Sequence, residues 1–287
     1  MAVLIYDLPP PPQIPLNGFL HTFYRWSHDA RVMFAVTLLY IIAVKITNRK
    51  VRNGYKPTIS QTTSFKYLVI AHNVILTFFS AFVFTQMLNL LNWNFKQRPF
   101  MEAFCDNDGL WAQQGVRLWT WIFYLSKYYE LLDTAVLLAK GKQSSFLQTF
   151  HHSLSILSMW IQSSSPISYG WIFTTFNSFI HTIMYTYYTL TCFGFKPSWK
   201  QLLTNLQMAQ FIIGNPVGLT YYVIPGCMVT STHDGMKVAI LPGLDINLGF
   251  WLRASGLVTA AFVSALILLF RDFSIKTYGL RKDMKKE

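Results

Sequence analysis

The chain has 287 residues, of which 52% are hydrophobic, 17% aromatic and only 13% charged, a balance too apolar for a water-facing surface and one that excludes disorder, a coiled coil and a disulfide-stapled miniprotein. Its formal net charge of +12, from 24 Lys and Arg against 12 Asp and Glu, suits nucleic acid, anionic lipid or an anionic substrate, and the long apolar segments demote the first. Three cysteines allow one disulfide and one free thiol but no Cys-rich metal centre.

Residues 1–12 lack the basic and apolar regions of a cleavable signal, so the first apolar helix is expected to target the chain itself. Windows of about 20 mostly apolar residues predict an all-α integral membrane protein with seven transmembrane helices, at 32–47, 65–91, 116–138, 146–162, 171–193, 202–224 and 248–270. The fourth is the weakest, because Gln148, His151, His152 and several serines interrupt it. Polar groups there should face protein, not lipid.

Orientation follows from the basic residues. The loops after spans one, three and five and the tail after span seven hold fifteen Lys and Arg, among them Lys66, Lys140, Lys142, Lys196 and Lys200. The opposite side holds six, largely offset by Asp106, Asp108, Asp234 and Asp245. This bias puts the N-terminus outside or in a lumen and the C-terminus in the cytosol. The expected layout is a lumenal segment (1–30), a seven-helix membrane domain (31–270) and a basic cytosolic tail (271–287). Cys105 and Cys227 then share the oxidising side and are expected to pair, the alternative being two unpaired loop thiols. Cys192, at the cytosolic end of span five, should stay reduced.

Four polar clusters recur at helical spacing inside the predicted spans. In span three, Lys127, Glu130, Asp133 and Thr134 form a stripe, read either as functional or as a mutually neutralised structural network. In span four, Gln148, His151 and His152 gather an amide and two imidazoles on one turn, which packing alone does not explain. Span five places Asn177, His181, Tyr185 and Tyr188 on one face. Span six carries Thr204, Gln207 and Gln210, followed by Asn215-Pro216 where a kink is expected; amides of this kind can also serve as helix glue alone.

Imidazole serves as base, nucleophile or metal ligand. A membrane di-iron desaturase or hydroxylase would need more histidine boxes than this chain holds: of seven His, His21, His28 and His233 lie outside the spans and His72 stands alone in span two. A lipid transporter or receptor would use the stripes as a pathway or pocket, but no inverted repeat with discontinuous helices is evident.

The ordered motifs carry a resemblance. KYYELLDT at 127–134, QTFHH at 148–152, NSFIHTIMYTYY at 177–188 and TNLQMAQ at 204–210 resemble, in order, four boxes of the ELO family of very-long-chain fatty acid elongases. The resemblance covers nearly the whole chain. It departs at Gln148, where the family's histidine box usually begins with His; a Gln-first box is similar to that of some fungal, algal and protist members.

Membership implies a 3-oxoacyl-CoA synthase, an acyltransferase that condenses a long-chain acyl-CoA, polyunsaturated ones among the candidates, with malonyl-CoA. It implies residence in the endoplasmic reticulum membrane, six of seven helices surrounding a closed-ended acyl tunnel, and a disulfide between the two lumenal loops. It implies no cofactor or metal. The expected partners are the two CoA substrates, membrane lipid and the reductases and dehydratase of the elongation cycle, with a homodimer as one candidate assembly. Of the site residues, His151 is the candidate nucleophile, with His181 nearby and His152 and Gln148 positioning its ring. Asn177, Tyr185, Tyr188, Gln207 and Gln210 are candidate supporting or oxyanion groups. Lys66, Lys140, Lys142, Lys196 and Lys200 are candidate cations for CoA phosphates, the alternative being ordinary positive-inside bias.

Overall fold

The computed structural model describes residues 2–4, 18–55, 57–106, 115–164, 169–224, 227, 237–241 and 244–279. Asp108, His233, Asp234 and the basic residues of the tail beyond 279 lie outside the described residues. Helix α1 (Phe19–His28) meets α2 (Ala30–Arg52) at Asp29, whose carboxylate accepts from the Arg31 backbone N–H at 2.9 Å and so caps α2. Helix α3 (Thr63–Gln97) is capped by Thr62 and has 35 residues, about 52 Å by the helical rise, so it overruns a hydrocarbon core about 30 Å thick. After α4 (Phe100–Cys105), α5 (Arg117–Tyr129) and α6 (Leu131–Ala139) follow one another with a break at Glu130. Then come α7 (Phe146–Ser163), capped by Ser145, α8 (Gly170–Cys192), α9 (Lys200–Val223), with Pro216 inside it, and α10 (Leu248–Ser274).

Each apolar interval predicted from the sequence falls on these helices to within a residue, with α5 and α6 together making the third. Among the described residues, three helical stretches are long and apolar enough to cross a membrane: Ala30–Arg52, Thr63–Gln97 and Arg253–Tyr278. The third apolar interval is split into α5 and α6, of 13 and 9 residues, and α7, α8 and α9 carry the polar stripes. The fold also contains what the sequence reading did not include, a small sheet in which β1 (Ala2–Leu4) pairs in parallel with β2 (Lys237–Leu241), and β2 pairs antiparallel with β3 (Leu244–Asn247).

Helix neighbours form a closed sequence: α3 packs on α8, α8 on α9, α9 on α10, α10 on α7, α7 on α5 and α5 on α3, while α2 packs against α6 and α7. Gly141 and Gly194 end α6 and α8 in the left-handed region, at φ 67° and 91°. In each, the next residue's N–H reaches five residues back, Lys142 to Leu137 and Phe195 to Leu190. This closure turns the chain sharply and sets the following lysine-bearing loops.

The main core joins α1, α2, α3, α5 and α7 through Tyr24, Met33, Val83, Trp121, Phe123, Ile156 and Trp160. His28, placed outside the spans by the sequence, is buried at its edge. Its Nε2 lies 2.8 Å from Ser163 Oγ, and its carbonyl accepts from Trp160 Nε1 at 2.9 Å. Burial pushes its imidazole down to about 4. Cys105 and Cys227 are paired, with Cα atoms 4.6 Å apart. The bond ties α4 to the segment after α9, and Tyr221, within α9, donates its hydroxyl proton to the Phe104 carbonyl. Cys192 is the free thiol.

Candidate active site

Helices α3, α6, α7, α8 and α9, with Glu130 at the α5–α6 break, bring polar faces to one cavity of about 640 Å³. Local sequence explains the convergence. In α7, Ser145 accepts from the Gln148 backbone N–H at 3.2 Å, starting the helix so that Gln148, His151 and His152 fall within its first two turns. All three line the cavity, as do Asn177, His181, Tyr185 and Tyr188 from α8 and Thr204, Gln207 and Gln210 from α9. The three boxes read as separate helical stripes are therefore walls of one chamber.

The Lys127 stripe divides in two. Lys127 Nζ, 2% exposed at the side chain, donates to Glu130 Oε1 at 2.8 Å and to Asn177 Oδ1 at 3.0 Å, and rests 3.9 Å above the Phe123 ring. Ser126 Oγ donates to the same Glu130 oxygen at 3.0 Å. The Asp133 N–H bonds the Glu130 carbonyl at 3.0 Å, a three-residue tightening at the break between α5 and α6. Asp133 does not join this pair. Its Oδ1 lies 2.8 Å from His72 Nε2, and its Oδ2 accepts from the Tyr185 hydroxyl at 2.7 Å. Thr134 turns toward Tyr40, 3.0 Å away, and accepts from Gln148 Nε2 at 3.3 Å.

The imidazoles have distinct surroundings. His152 is buried, with its ring 5.2 Å from His151 and 6.4 Å from Tyr40, both edge-on. Its Nδ1 has no hydrogen-bond partner among the described residues. His181 is buried with Nδ1 3.5 Å from Glu130 Oε1. His151 is half-buried. It lines both the large cavity and a narrow extension of about 40 Å³. Met159, Phe173, Phe176, Phe262, Val263 and Leu266 make most of that extension apolar, and Gln162 also lines it. Helical rise puts Gln162 about 16 Å along α7 from His151.

Donors in the chamber are unequally committed. Tyr185 gives its proton to Asp133, and Gln207 Nε2 faces Met184 Sδ at 3.4 Å. Asn177 Nδ2 donates to Gln210 Oε1 at 3.4 Å, so Gln210 acts as acceptor there and its own amide N–H groups remain for the cavity. Thr204 Oγ1 lies 3.2 Å from the Tyr278 hydroxyl. Of the candidate phosphate cations, Lys140, Lys142 and Lys200 are exposed and line the cavity; Lys66 and Lys196 are exposed but not among its lining residues. His72 and Asn73 of α3 also line it. Sequence reasoning left His72 alone in its span, although an ionisable side chain at membrane depth is itself a signal of function.

The chain is similar in sequence to several known proteins. Fatty acid elongase sre1 of Dictyostelium discoideum is 30% identical over 210 residues, 70% of this chain and 75% of the relative. Fatty acid elongase 2 of Trypanosoma cruzi is 30% identical over 234 residues, 80% of this chain and 79% of the relative. Very long chain fatty acid elongase 2 of Rattus norvegicus is 28% identical over 266 residues, 88% and 81% of the two chains. The family described as ELO, GNS1/SUR4, matches residues 25–287. The chain belongs to the ELO (GNS1/SUR4) family.

Proposed function

We propose that this protein is a fatty acid elongase, a 3-oxoacyl-CoA synthase that joins a long-chain acyl-CoA to malonyl-CoA. The observation that carries this reading is the position of His151, between a polar chamber edged by Lys140, Lys142 and Lys200 and a narrow, mainly apolar extension. Such a site would set the phosphates of CoA at the lysines and point the acyl chain into the extension, which at about 40 Å³ has to widen to take a long chain, with the thioester at the imidazole. Metal chemistry plays no part in the proposed steps.

A His151 nitrogen attacks the thioester carbonyl; the C–S bond breaks and CoA leaves as thiolate, which takes up a proton. Malonyl-CoA then occupies the chamber. Its C2–carboxylate bond breaks, CO2 leaves, and the electron pair becomes an enolate whose carbon attacks the acyl-imidazole carbonyl. The C–N bond breaks and His151 is restored. The cycle takes up one proton, which ends on the CoA sulfur. Oxyanions formed on the way need donors, and the uncommitted amide of Gln210 is the best placed, with Asn177 beside it.

The membrane reading extends the same proposal. Seven helical spans cross the endoplasmic reticulum membrane with the N-terminus lumenal and the C-terminus cytosolic, which puts the disulfide on the oxidising side and the lysine mouth on the side that supplies CoA esters. The neighbour sequence of α3, α8, α9, α10, α7 and α5 supports six spans around the chamber, with α2 outside. Purified protein given radiolabelled malonyl-CoA and a panel of saturated and polyunsaturated acyl-CoAs is expected to release CO2 and form 3-oxoacyl-CoA two carbons longer. Folded protein that forms none from any acyl-CoA would contradict the reading.

A further inference from the structure

His72 belongs to none of the recognised boxes, yet it lines the same chamber as His151, His152 and His181. We propose that His72 is a positioning residue of the reaction centre, acting through Asp133 and Tyr185 on the imidazole of His181; the inference rests on the elongase reading above. His72 is buried, and its Nε2 lies 2.8 Å from Asp133 Oδ1. The other carboxylate oxygen accepts the only proton of the Tyr185 hydroxyl, at 2.7 Å. As a carboxylate Asp133 accepts from both, and His72 Nε2 is then the nitrogen that carries the donated hydrogen.

Tyr185 stands between two imidazoles. Its ring is fully buried and meets His72 edge-on at 6.4 Å and His181 edge-on at 5.5 Å. His181 is met on its Nδ1 side by Glu130, which Lys127 holds. The His181 ring is therefore set by two chains of contacts, one fixed by Lys127 through Glu130 and one by His72 through Asp133 and Tyr185. His72, Asp133 and Tyr185 come from three helices, α3, α6 and α8, and a triad serving only to hold these helices together has no need of the chamber. It sits instead where all three side chains line the chamber.

Removing the His72 donor frees Asp133 and Tyr185 to shift and loosens the wall against His181. The lysine mouth and the apolar extension are untouched, so substrate binding is preserved while the chemical step slows. The test compares full-length His72→Phe, His72→Gln, Tyr185→Phe and the double variant His72→Phe/Tyr185→Phe, with melting temperatures measured alongside. The Gln Nε2 reproduces the position of the imidazole Nε2 and its hydrogen. We expect His72→Phe to lower kcat by roughly 10- to 100-fold with KM for both CoA substrates within about twofold, and His72→Gln to recover most of that loss. The double variant should be little slower than either single one, because both break the same chain.

A His72→Phe enzyme with kcat within about twofold of the parent, a Gln variant as slow as Phe, or losses that multiply in the double variant would each overturn the proposal. If His72→Phe does not fold, the Gln and Tyr185→Phe variants decide it alone, since Tyr185→Phe then has to show the same kcat loss at unchanged KM. A parent enzyme that elongates nothing would defeat the elongase reading, and this inference with it.

Discussion

Replacing His151 with Ala is expected to lower 3-oxoacyl-CoA formation by at least about a thousandfold, the scale at which a nucleophile's loss is felt in enzymes that form covalent intermediates. The fold should survive the change. His151 is half-buried at the junction of two cavities and makes no hydrogen bond among the described residues, so its loss enlarges a space already present. His152→Ala differs in kind. That ring is buried between His151 and Tyr40, and its removal should lower stability as well as rate. Product formation and thermal melting on the two variants separate the roles. A His151→Ala enzyme within tenfold of the parent rate would assign the nucleophile elsewhere.

Lys127→Met is expected to be the most destabilising single change in the site. Lys127 and Glu130 are each 2% exposed at the side chain and 2.8 Å apart. Removing the ammonium leaves a buried carboxylate whose paired oxygen has only the Ser126 hydroxyl, shared with the Phe123 carbonyl, and the more distant His181 Nδ1 at 3.5 Å beside it. Breaking a buried pair in this way costs about 3–5 kcal/mol, visible as a large fall in melting temperature. Asn177 also loses the donor to its Oδ1, so activity should fall with stability. The double variant Lys127→Met/Glu130→Gln removes both charges and is expected to recover much of the stability but not the activity, because Asn177 and His181 still lack their anchors. Equal melting of the single and double variants would show that the uncompensated charge is not the cause.

Much of this architecture is legible in the sequence because its signals are local. The apolar windows locate the helices because hydrophobic length is counted along the chain. Gln148, His151 and His152 are predicted to share a face, and they do, because i, i+3 and i+4 positions coincide on any helix. The Cys105–Cys227 pairing is reached through the side assigned to each loop, a long-range inference made possible by the distribution of Lys and Arg.

What the sequence leaves unread is partner choice between helices. The spacing of Lys127, Glu130 and Asp133 gives no sign that one carboxylate turns to Lys127 and the other to His72, 61 residues earlier in the chain. His28 likewise finds Ser163 across 135 residues. The small sheet joins Ala2–Leu4 to Lys237–Leu241, a pairing that no local pattern announces. For the lysines, topology groups Lys66 and Lys196 with Lys140, Lys142 and Lys200, but only the last three border the cavity, since a shared membrane side does not fix distance from the mouth.

The covalent step is the centre of the mechanism, and it can be isolated by giving the enzyme acyl-CoA without malonyl-CoA. The direct measurement is the mass of peptides from rapidly quenched protein after a single incubation with a long-chain acyl-CoA. A peptide from α7 should gain the mass of the acyl group, with fragmentation placing it on His151, and later addition of malonyl-CoA should discharge it as 3-oxoacyl-CoA. An enzyme that elongates on adding malonyl-CoA yet never carries the acyl group on His151 would contradict the acyl-histidine mechanism.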